Sequence, residues 1–399
     1  MPDAGRARSA ALPPLLEEWG EPQLSPLASA LDERRARGLP VFDFIQANPQ
    51  EHGFEFPNDL LCEIIAEACV VARFYRPDSR GQLPAREAVA AFHGDGVGPE
   101  AIVLTPGTSM AYWYCFRLLA RSGAEVLCPA PTYPLFDDLA RLAGLRTRSY
   151  HLDRDVDGGW QIDPAEVEFQ ITRHTCAIVV VSPHNPTGMV ASAGELQALA
   201  AICMRHGLPL IFDEVFREFL HTADCVARPA ECGAPLSITL NGLSKMLSLP
   251  GLKAGWMVVE GADRALVRRF LAALEYAADT FLPVSEIVQA ALPRLLAPPS
   301  IGYARTFARL YSERMSALIE AWRAAGVDVA MPEAGVYLPV PLPEKTASDE
   351  EIALRLLHES GIYCHAGSSY AMPFPSLITT CVPAPPWPVG AMAELVRGD

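Results

Sequence analysis

Three polar side chains follow three separate apolar runs of the chain. Lys245 closes the string Asn-Gly-Leu-Ser-Lys behind one run, Asp213 closes Leu-Ile-Phe-Asp, and Asn185 opens Asn-Pro-Thr-Gly shortly after Ile-Val-Val-Val-Ser. Continuous apolar runs of this length are typical of strands that are buried on both faces. Because ligands of open α/β sheets bind beyond the carboxyl ends of the strands, we expect the three side chains to meet at one ligand site.

The types of these side chains indicate a particular cofactor. A carboxylate such as Asp213, at a buried strand end without an adjacent countercharge, needs a cationic partner. A protonated pyridine nitrogen is such a partner, and its protonation makes the ring of pyridoxal phosphate an electron sink. Lys245 would form the Schiff base with this cofactor and then move the proton at the substrate Cα, while Asn185 would donate to the ring oxygen. Taken alone, Asp213 and Lys245 also fit a structural salt bridge, and Asn-Pro fits an ordinary turn.

A phosphate site is predicted at residues 104–110, Leu-Thr-Pro-Gly-Thr-Ser-Met, where a turn of small residues leads into an apolar helical stretch. A helix N-terminus offers free N–H groups and a favourable dipole to a phosphate. Gly107 permits close approach, Thr108 offers its amide and Ser109 its hydroxyl, although an ordinary N-cap is the alternative. Tyr133, in Pro-Thr-Tyr-Pro, could lie flat against an aromatic cofactor or pack within a turn.

The elements that must position these groups alternate between strands and helices. The predicted strands are Ile102–Leu104, Glu125–Cys128, Ala177–Ser182, Leu208–Phe212, Ser237–Leu240 and Gly255–Val259. Between two of them, Ser192 and Glu195 form a capping-box pattern, and Gly207 is placed to end that helix. This alternation predicts an α/β fold of three layers with a mostly parallel sheet.

A smaller α+β domain is predicted behind this sheet. Residues 300–325 are predicted to form one long helix, followed by a strand at 336–340, a helix at 350–359 and a strand at 361–364. The proline-rich stretches at 297–299 and 383–388 are predicted to be turns or coil. We therefore divide the chain into an N-terminal arm with part of the small domain (1–47), a large cofactor-binding domain (48–298) and a small C-terminal domain (299–399). Within the arm we expect a short helix around Pro26–Arg37.

Composition limits the remaining possibilities. The 399 residues carry a formal net charge of −15, which argues against binding to nucleic acid or to an anionic membrane surface. No run approaches the length of a membrane span, and no apolar segment of a secretory leader follows the N-terminus. The ten cysteines lack metal-site spacing, so we expect no metal, a cytoplasmic location and cysteines that act mostly as small core residues, as at Cys62, Cys69, Cys128, Cys176 and Cys203.

Together these segments closely resemble the class I/II aminotransferases, pyridoxal-phosphate enzymes of fold type I. The resemblance runs from about Asn48 to Gly255 and includes Tyr75 with Gly81 and Arg86 (Tyr-x5-Gly-x4-Arg), Gly107-Thr-Ser, Tyr133, Asn185-Pro-Thr-Gly, Asp213, Ser244-Lys245 and Gly251-Leu-Lys-Ala-Gly.

The resemblance implies a role for each matching position. Lys245 would hold the cofactor aldehyde, Asp213 the pyridine nitrogen and Asn185 the ring oxygen, with Tyr133 stacked on the ring. The residues implied to hold the phosphate are Gly107, Thr108, Ser109, Ser244 and Lys253. Tyr75 would reach the phosphate of the neighbouring subunit, because sites of this family lie at a dimer interface, so the resemblance also implies a homodimer.

The sequence departs from the family pattern in three places. Phe216 stands where many members have a tyrosine that contacts the ring oxygen, and Lys253 stands where an arginine usually holds the phosphate. The stretch Pro375-Ser-Leu-Ile-Thr-Thr-Cys-Val lacks the arginine that binds the substrate carboxylate in typical members. Either this stretch is a divergent strand matched out of register, the substrate is unusual, or another group replaces the arginine, and the candidates for that group are Asn48, His365, Ser368 and Ser369.

The implied reaction is transfer of an amino group between an amino acid and a 2-oxo acid. The alternative retains the cofactor but leads to elimination, replacement, cyclisation or oxidation, as in specialised metabolism. A third hypothesis is a cofactor-binding sensor, for which the acidic chain and its short, proline-rich N-terminal segment offer no DNA-binding domain. The last is an α/β domain without the cofactor, which requires all these motifs to be coincidental.

Overall fold

The computed structural model describes residues 25–46, 49–94, 96–155, 158–282, 284–343 and 348–397. The predicted helix of the arm is present as α1 (Pro26–Ala36), capped by the side chain of Ser25. The irregular course expected for the first residues of the arm lies outside the described residues.

The first half of the chain supplies most of the central sheet. After α1 its elements are β1 (Phe42–Asp43), α2 (Asn58–Val71), α3 (Leu83–His93), β2 (Ile102–Thr105), α4 (Thr108–Leu119), β3 (Glu125–Ala130), α5 (Leu135–Ala143), β4 (Arg146–Arg154), β5 (Trp160–Ile162), α6 (Pro164–Gln170), β6 (Thr175–Val181) and α7 (Ala193–His206).

The second half completes the sheet and adds a further unit. Its elements are β7 (Leu210–Asp213), β8 (Ser237–Gly242), α8 (Leu243–Met246), β9 (Gly255–Glu260), α9 (Arg264–Phe281), α10 (Glu286–Leu295), α11 (Pro298–Ala324), β10 (Tyr337–Pro341), α12 (Asp349–Arg355), β11 (Ile362–Tyr363), β12 (His365–Ala366), β13 (Ser376–Thr380) and α13 (Val389–Arg397). Short 3-10 turns occur at Pro49–His52, Pro99–Ala101, Pro250–Leu252 and Gly367–Tyr370, and a π turn at Leu356–Ser360.

The central sheet has eight strands in the order β2-β9-β8-β7-β6-β3-β4-β5. Strands β8, β7, β6, β3 and β4 run parallel, whereas β2, β9 and β5 pair antiparallel. All six predicted strands are present, and the mostly parallel sheet is confirmed. Strands β4 and β5 were not predicted, because β4 lies near the sheet edge and alternates polar with apolar residues.

Alternate side chains of one strand enter different hydrophobic cores, which makes the sheet the middle of three layers. In β6, Val179 packs in a core with residues of α4, α5 and α9, whereas Ile178 and Val180 pack in another core with residues of α7. The predicted signals of α7 are also confirmed. Ser192 and Glu195 form a reciprocal capping box, and Gly207 ends the helix in the left-handed conformation at φ 64°.

The C-terminal unit contains a three-stranded antiparallel sheet, β10-β13-β12. The arm joins this unit because β1 pairs in parallel with β11 and Phe44 packs in the same core as Trp322 of α11. We propose that this unit is the smaller domain. The prediction of a turn at 297–299 is wrong, since Pro298 and Pro299 begin α11. The first N–H groups of a helix have no acceptor within the helix, so proline costs no hydrogen bond there.

The cysteine prediction is only partly right. Cys128, Cys176 and Cys203 are buried, but Cys62 and Cys69 lie on the exposed side of α2. In the part of the chain that the structure describes, no helix combines the length and apolarity needed to cross a bilayer.

Candidate active site

A cavity of about 190 Å³ lies at the carboxyl ends of β6, β7 and β8, where the sequence places its three polar side chains. Its lining consists of Gly107, Thr108, Ser109, Tyr112, Tyr133, Phe136, Leu139, Val181, Asn185, Asp213, Val215, Phe216, Gly242, Ser244, Lys245, Ala254 and Tyr337. Of the predicted site residues, Tyr75 and Lys253 alone are not part of this wall. Segments far apart in the chain therefore meet around one hollow, as predicted.

Asp213 is a buried carboxylate held by two neutral donors. The hydroxyl of Tyr112 donates to Oδ2 at 2.9 Å, and the backbone N–H of Val215 donates to Oδ1 at 3.0 Å. Burial raises the pKa of Asp213 to about 6, against the opposing effects of these hydrogen bonds and of nearby Lys245. A cation brought into the cavity would therefore stabilise the ionised form of this residue.

Lys245 lies on the short helix α8, which directly follows β8, and its side chain is buried in the wall of the same cavity. Burial lowers the pKa of Lys245, and the charge of Asp213 opposes this shift. Its Nζ lies 5.8 Å from the ring centroid of Phe216, so an apolar surface rather than a phenol faces the amine. A lowered pKa increases the fraction of neutral amine, which is the nucleophilic form.

Asn185 presents an unpartnered acceptor at the cavity. Its Oδ1 is buried without a hydrogen bond, while its side chain is hydrogen-bonded to the phenol of Tyr337. The loop that carries Asn185 is packed tightly, because a Cβ on Gly188 would lie 2.5 Å from the carbonyl oxygen of Ala334, and Gly188 has φ +74°. Only glycine fits this position without displacing the neighbouring segment.

The N-terminus of α4 forms one wall of the cavity. Gly107 precedes the helix with φ 113°, and open space lies where its Cβ would be. The hydroxyls of Ser109 and Ser244 line the same wall region as Thr108. A helix N-terminus with free N–H groups, a glycine and hydroxyl side chains is suited to binding a phosphate.

Tyr133 lies at the mouth of the cavity and is 40% exposed. The ring centroids of Tyr133 and Phe136 are 6.1 Å apart and the ring planes are perpendicular. The contact is edge-on, so the two rings are not stacked. Burial raises the pKa of the Tyr133 phenol. The position suits an aromatic surface against a planar cofactor.

Two predicted phosphate ligands lie away from the cavity within one chain. Lys253 is exposed and follows the 3-10 turn in the left-handed conformation. Tyr75 is 73% exposed beside Leu282 and Glu286. The nearby Arg86 of the same motif is buried and donates to the carbonyls of Gly81 and Pro99, which is a structural role.

The proposed substitutes for the missing arginine do not line the cavity either. Both ring nitrogens of His365 lie 3.1 Å from phenol oxygens, those of Tyr363 and Tyr370. Ser368 binds Asp349 through its backbone N–H and its hydroxyl, Ser369 is exposed, and Asn48 lies outside the described residues. Among the described residues of the cavity wall, Lys245 is the single cation.

Sequence reasoning missed two phenols of the site. Tyr112 follows Thr108 by one helical turn, so helix phase could have placed it on the cavity side of α4. Tyr337 begins β10 of the C-terminal unit, and nothing local in the sequence indicates that it meets Asn185.

A buried polar network supports the segment before Lys245. Glu214 accepts from Asn241 Nδ2 at 3.0 Å and from Arg217 at 3.2 Å, and Asn241 Oδ1 accepts from the N–H of Gly242 at 2.7 Å. His93 lies 3.7 Å from the same carboxylate, and burial lowers its pKa to about 3. The turn that carries Ser244 and Lys245 is therefore anchored to the end of β7.

The described groups fit pyridoxal phosphate. The amide of Asn185 has a second hydrogen that can be donated to a ring oxygen, and Asp213 is an acid whose ionised form needs a cation. The open helix N-terminus at Gly107 and the buried amine of Lys245 match the remaining two functional groups of that cofactor. A three-layer α/β fold with this constellation defines the class as pyridoxal-phosphate enzymes of fold type I.

Comparison with known proteins identifies the family. The sequence model of Aminotransferase class I and II matches residues 44–386, so the chain belongs to that family and is a pyridoxal-phosphate-dependent aminotransferase. Amino-group transfer between an amino acid and a 2-oxo acid, the first of the predicted reactions, is thereby confirmed.

Individual relatives cover most of the chain. The alanine aminotransferase of Mycobacterium tuberculosis is 30% identical over 359 residues, which are 85% of this chain and 81% of that protein. The glutamate-pyruvate aminotransferase AlaA of Escherichia coli is 29% identical over 342 residues, 82% of each chain. The solved alanine aminotransferase of Pyrococcus furiosus has the same fold, with a TM-score of 0.84 at 22% identity over 94% of this chain and 96% of that one.

Proposed function

We propose that this chain performs its amino-group transfer in the cavity between Asn185, Asp213 and Lys245. The observation that supports this most directly is the convergence of a buried amine and a buried carboxylate on one hollow at the N-terminus of α4. Pyridoxal phosphate, when bound, supplies an electron-withdrawing ring that acidifies the Cα proton of the amino acid.

Each residue of the site then has a separate task. Asp213 holds the ring nitrogen in its protonated form, and Asn185 donates to the ring oxygen. Tyr133 covers one face of the ring. The phosphate ligands are proposed to be Gly107, Thr108, Ser109, Ser244 and Lys253.

Lys245 holds the cofactor aldehyde before substrate arrives and is the base that acts at Cα afterwards. With the cofactor bound, its Nζ would be the base that takes the proton from the substrate Cα. Burial beside Phe216 lowers the pKa of Lys245, which favours the neutral amine that this step requires. Asp213 limits the shift, so the amine can still hold the proton that it takes from Cα.

The named relatives guide the choice of substrates. Two of them are an alanine aminotransferase and a glutamate-pyruvate aminotransferase. We take L-alanine or L-glutamate as the first amino donors and pyruvate or 2-oxoglutarate as the first acceptors for this chain. We also propose a cytoplasmic location.

A homodimer is proposed from the exposed apolar surface around Tyr75. Val70, Val71, Phe74 and Tyr75 are each more than half exposed, as is Phe281 nearby in the fold. Apolar surface of this extent on a single subunit is typical of an interface. A second copy that covers it would bring Tyr75 towards the phosphate of its partner.

The test uses the purified protein loaded with pyridoxal phosphate. With L-alanine alone, we expect loss of the bound-cofactor absorbance and formation of pyruvate, followed by recovery of the absorbance when an acceptor is added. Lys245→Ala should lose both the covalent attachment of the cofactor, measured by mass spectrometry after borohydride reduction, and turnover. A Lys245→Ala protein that retains covalent cofactor and activity would remove this lysine from the mechanism.

A further inference from the structure

The cavity has few groups left to bind the carboxylate of an amino acid. Tyr112 already donates to Asp213, and the hydroxyls of Ser109 and Ser244 lie with Gly107 at the proposed phosphate wall. Lys245 is the single cation among the described lining residues and is needed for the cofactor. A buried carboxylate requires hydrogen-bond donors, so these must come from the remaining residues of the cavity wall.

Thr108 is placed at the phosphate, Tyr133 on the face of the ring and Asn185 at the ring oxygen. The donor that remains in the described lining is the phenol of Tyr337, which is hydrogen-bonded to Asn185. Because Oδ1 of Asn185 has no partner, the bond to Tyr337 comes from its Nδ2, and the phenol oxygen is the acceptor. The hydroxyl hydrogen of Tyr337 is then available for a ligand in the cavity. The second hydrogen of Nδ2 remains for the cofactor ring oxygen, which is the task proposed for Asn185.

The surroundings hold the phenol of Tyr337 in this position. Tyr337 pairs with Thr380 across the C-terminal sheet, and its ring meets the ring of Phe216 edge-on at 6.1 Å. The segment just before it is fixed to the Asn185 loop, since the N–H of Ala334 donates to the carbonyl of Gly188 at 2.9 Å. Direct hydrogen bonds therefore join the segment that carries Tyr337 to the Asn185 loop, although the two come from different units of the fold.

The phenol also has the right protonation state for a donor. Burial raises the pKa of Tyr337 to about 12, with a smaller effect from the neighbouring Tyr133. The hydroxyl remains protonated over the physiological range, and a hydrogen bond to an anion is stronger than one to a neutral acceptor.

We propose that the hydroxyl of Tyr337 binds the α-carboxylate of the amino acid and of the 2-oxo acid, as a neutral donor in place of a guanidinium. This inference rests on the proposed function of the cavity and adds a specificity residue to it. It accounts for a substrate site whose described wall contains no arginine.

The experiment compares wild type, Tyr337→Phe and the matched control Tyr370→Phe, all loaded with cofactor. Tyr370 is a buried phenol that binds His365 and does not line the cavity. The probes are propionate, which is a carboxylate without an amino group, and its neutral amide propionamide. Dissociation constants are measured from the absorbance of the bound cofactor or from competition with the amino donor.

We expect Tyr337→Phe to weaken propionate binding by roughly ten- to a hundredfold, the effect of one hydrogen bond to a charged group. Propionamide binding should change less than about twofold, because a neutral ligand gains less from the same donor. The KM for the amino donor should rise by the same factor as for propionate while kcat is retained, as for loss of uniform binding. Tyr370→Phe should resemble wild type throughout.

Two results would overturn the inference. One is unchanged propionate affinity in a Tyr337→Phe protein whose thermal melting matches the wild type. The other is a shifted pH titration of the cofactor absorbance without any ligand, which would place the hydroxyl against the cofactor ring instead. If Tyr337→Phe does not fold, Tyr337→Leu also removes the hydroxyl donor, and propionate affinity equal to that of wild type in that variant would again contradict the proposal. Failure of the wild type itself to react with any amino acid would refute the proposed function, independently of the variants.

Discussion

The hydroxyl of Tyr112 donates to Oδ2 of Asp213 at 2.9 Å, and both side chains are buried. The bond joins the second turn of α4, whose N-terminus forms the proposed phosphate wall, to the end of β7. This hydrogen bond occupies one of the two carboxylate oxygens. The ring nitrogen of a bound cofactor would therefore share Asp213 with a neutral phenol. The phosphate wall and the acid that faces the ring nitrogen are therefore connected through Tyr112, which is not among the residues of the family motif given above.

Replacing Tyr112 by phenylalanine should weaken cofactor binding. The hydrogen bond lowers the pKa of Asp213, so its loss raises that pKa and reduces the population of the ionised form that holds a ring cation. We expect about a tenfold increase in the dissociation constant of pyridoxal phosphate near neutral pH, the effect of one charge-assisted hydrogen bond. Fluorescence titration of the apoprotein measures it.

Tyr114 provides the control on the same helix. It is equally buried, but its hydroxyl has no hydrogen-bond partner among the described residues. Tyr114→Phe should leave cofactor affinity unchanged and stabilise the fold slightly, because an unsatisfied hydroxyl is removed. Equal cofactor affinities of the two variants would show that the bond from Tyr112 has no role in binding.

The raised pKa of Asp213 predicts a pH-dependent stability of the apoprotein. Its pKa is about 6 in the fold and ordinarily 3.8, so between these values the folded state binds more protons than the unfolded state. Stability contributed by this group is therefore present at low pH and declines as the pH rises to 6, by about 3 kcal/mol in all.

The measurement is the difference in unfolding free energy between wild type and Asp213→Asn, obtained by urea denaturation of the apoproteins at several pH values. The amide does not titrate, so the difference isolates this residue from other acids. We expect wild type to lose stability relative to the variant from pH 4 to pH 6, and to regain it when the cofactor is added. A difference that is independent of pH would mean that Asp213 is ionised throughout.

The contrast between predicted and missed features has a physical origin. The strands β6 to β8 and the capping box of Ser192 and Glu195 were predicted because their signals are local in the sequence. The polar groups at the strand ends followed from the rule that such ends meet. Contacts between distant segments, such as Tyr112 with Asp213, depend on packing angles that no local pattern contains.

The exposure of residues on α2 was also predicted wrongly, on a surface that we propose to be an interface. Cys62 and Cys69 stand in an apolar stretch, yet α2 leaves them exposed together with Val70 and Val71. A stretch that is apolar on more than one side is typical of a helix with neighbours on each side. Within the described part of one chain, α2 packs on its buried side in the same core as residues of α3 and α10, and its exposed side has no such partner.

Gly188 should not tolerate a side chain. Its φ of +74° disfavours other residues, and an added Cβ would lie 2.5 Å from both the carbonyl oxygen of Ala334 and the Cβ of Pro332. We expect Gly188→Ala to destabilise the protein by about 2–4 kcal/mol and to raise the KM for amino acids, because the segment leading to Tyr337 must shift. Urea denaturation and steady-state kinetics test the two effects.

The matched control is Gly194→Ala in the first turn of α7. The added Cβ meets nothing nearer than the hydroxyl of Ser192 at 3.9 Å. Alanine is the better helix former, so this variant should gain about 0.5–1 kcal/mol and keep its kinetics. Equal stability of the two alanine variants would contradict the tight contact at Gly188.

The role of Tyr75 in a partner subunit is tested by mixing two inactive proteins. Tyr75 is exposed and lies outside the cavity of its own chain, whereas Lys245 lies inside it. If the site is shared, a hybrid of Tyr75→Ala and Lys245→Ala subunits contains one site with both native residues. Random reassociation of equal amounts should then restore about a quarter of the wild-type activity, since half of the dimers have one complete site of two.

The activity of each single variant alone is the baseline. The control is a mixture of wild type with a double variant that carries both substitutions on one subunit. In that control, one shared site of the hybrid lacks Lys245 and the other lacks Tyr75, so hybrid formation should lower activity below that of the unmixed wild-type fraction. Sedimentation measures whether dimers form at all. If activity does not return in a mixture in which native mass spectrometry detects hybrid dimers, Tyr75 does not act across the interface, because one site in every hybrid would otherwise be complete.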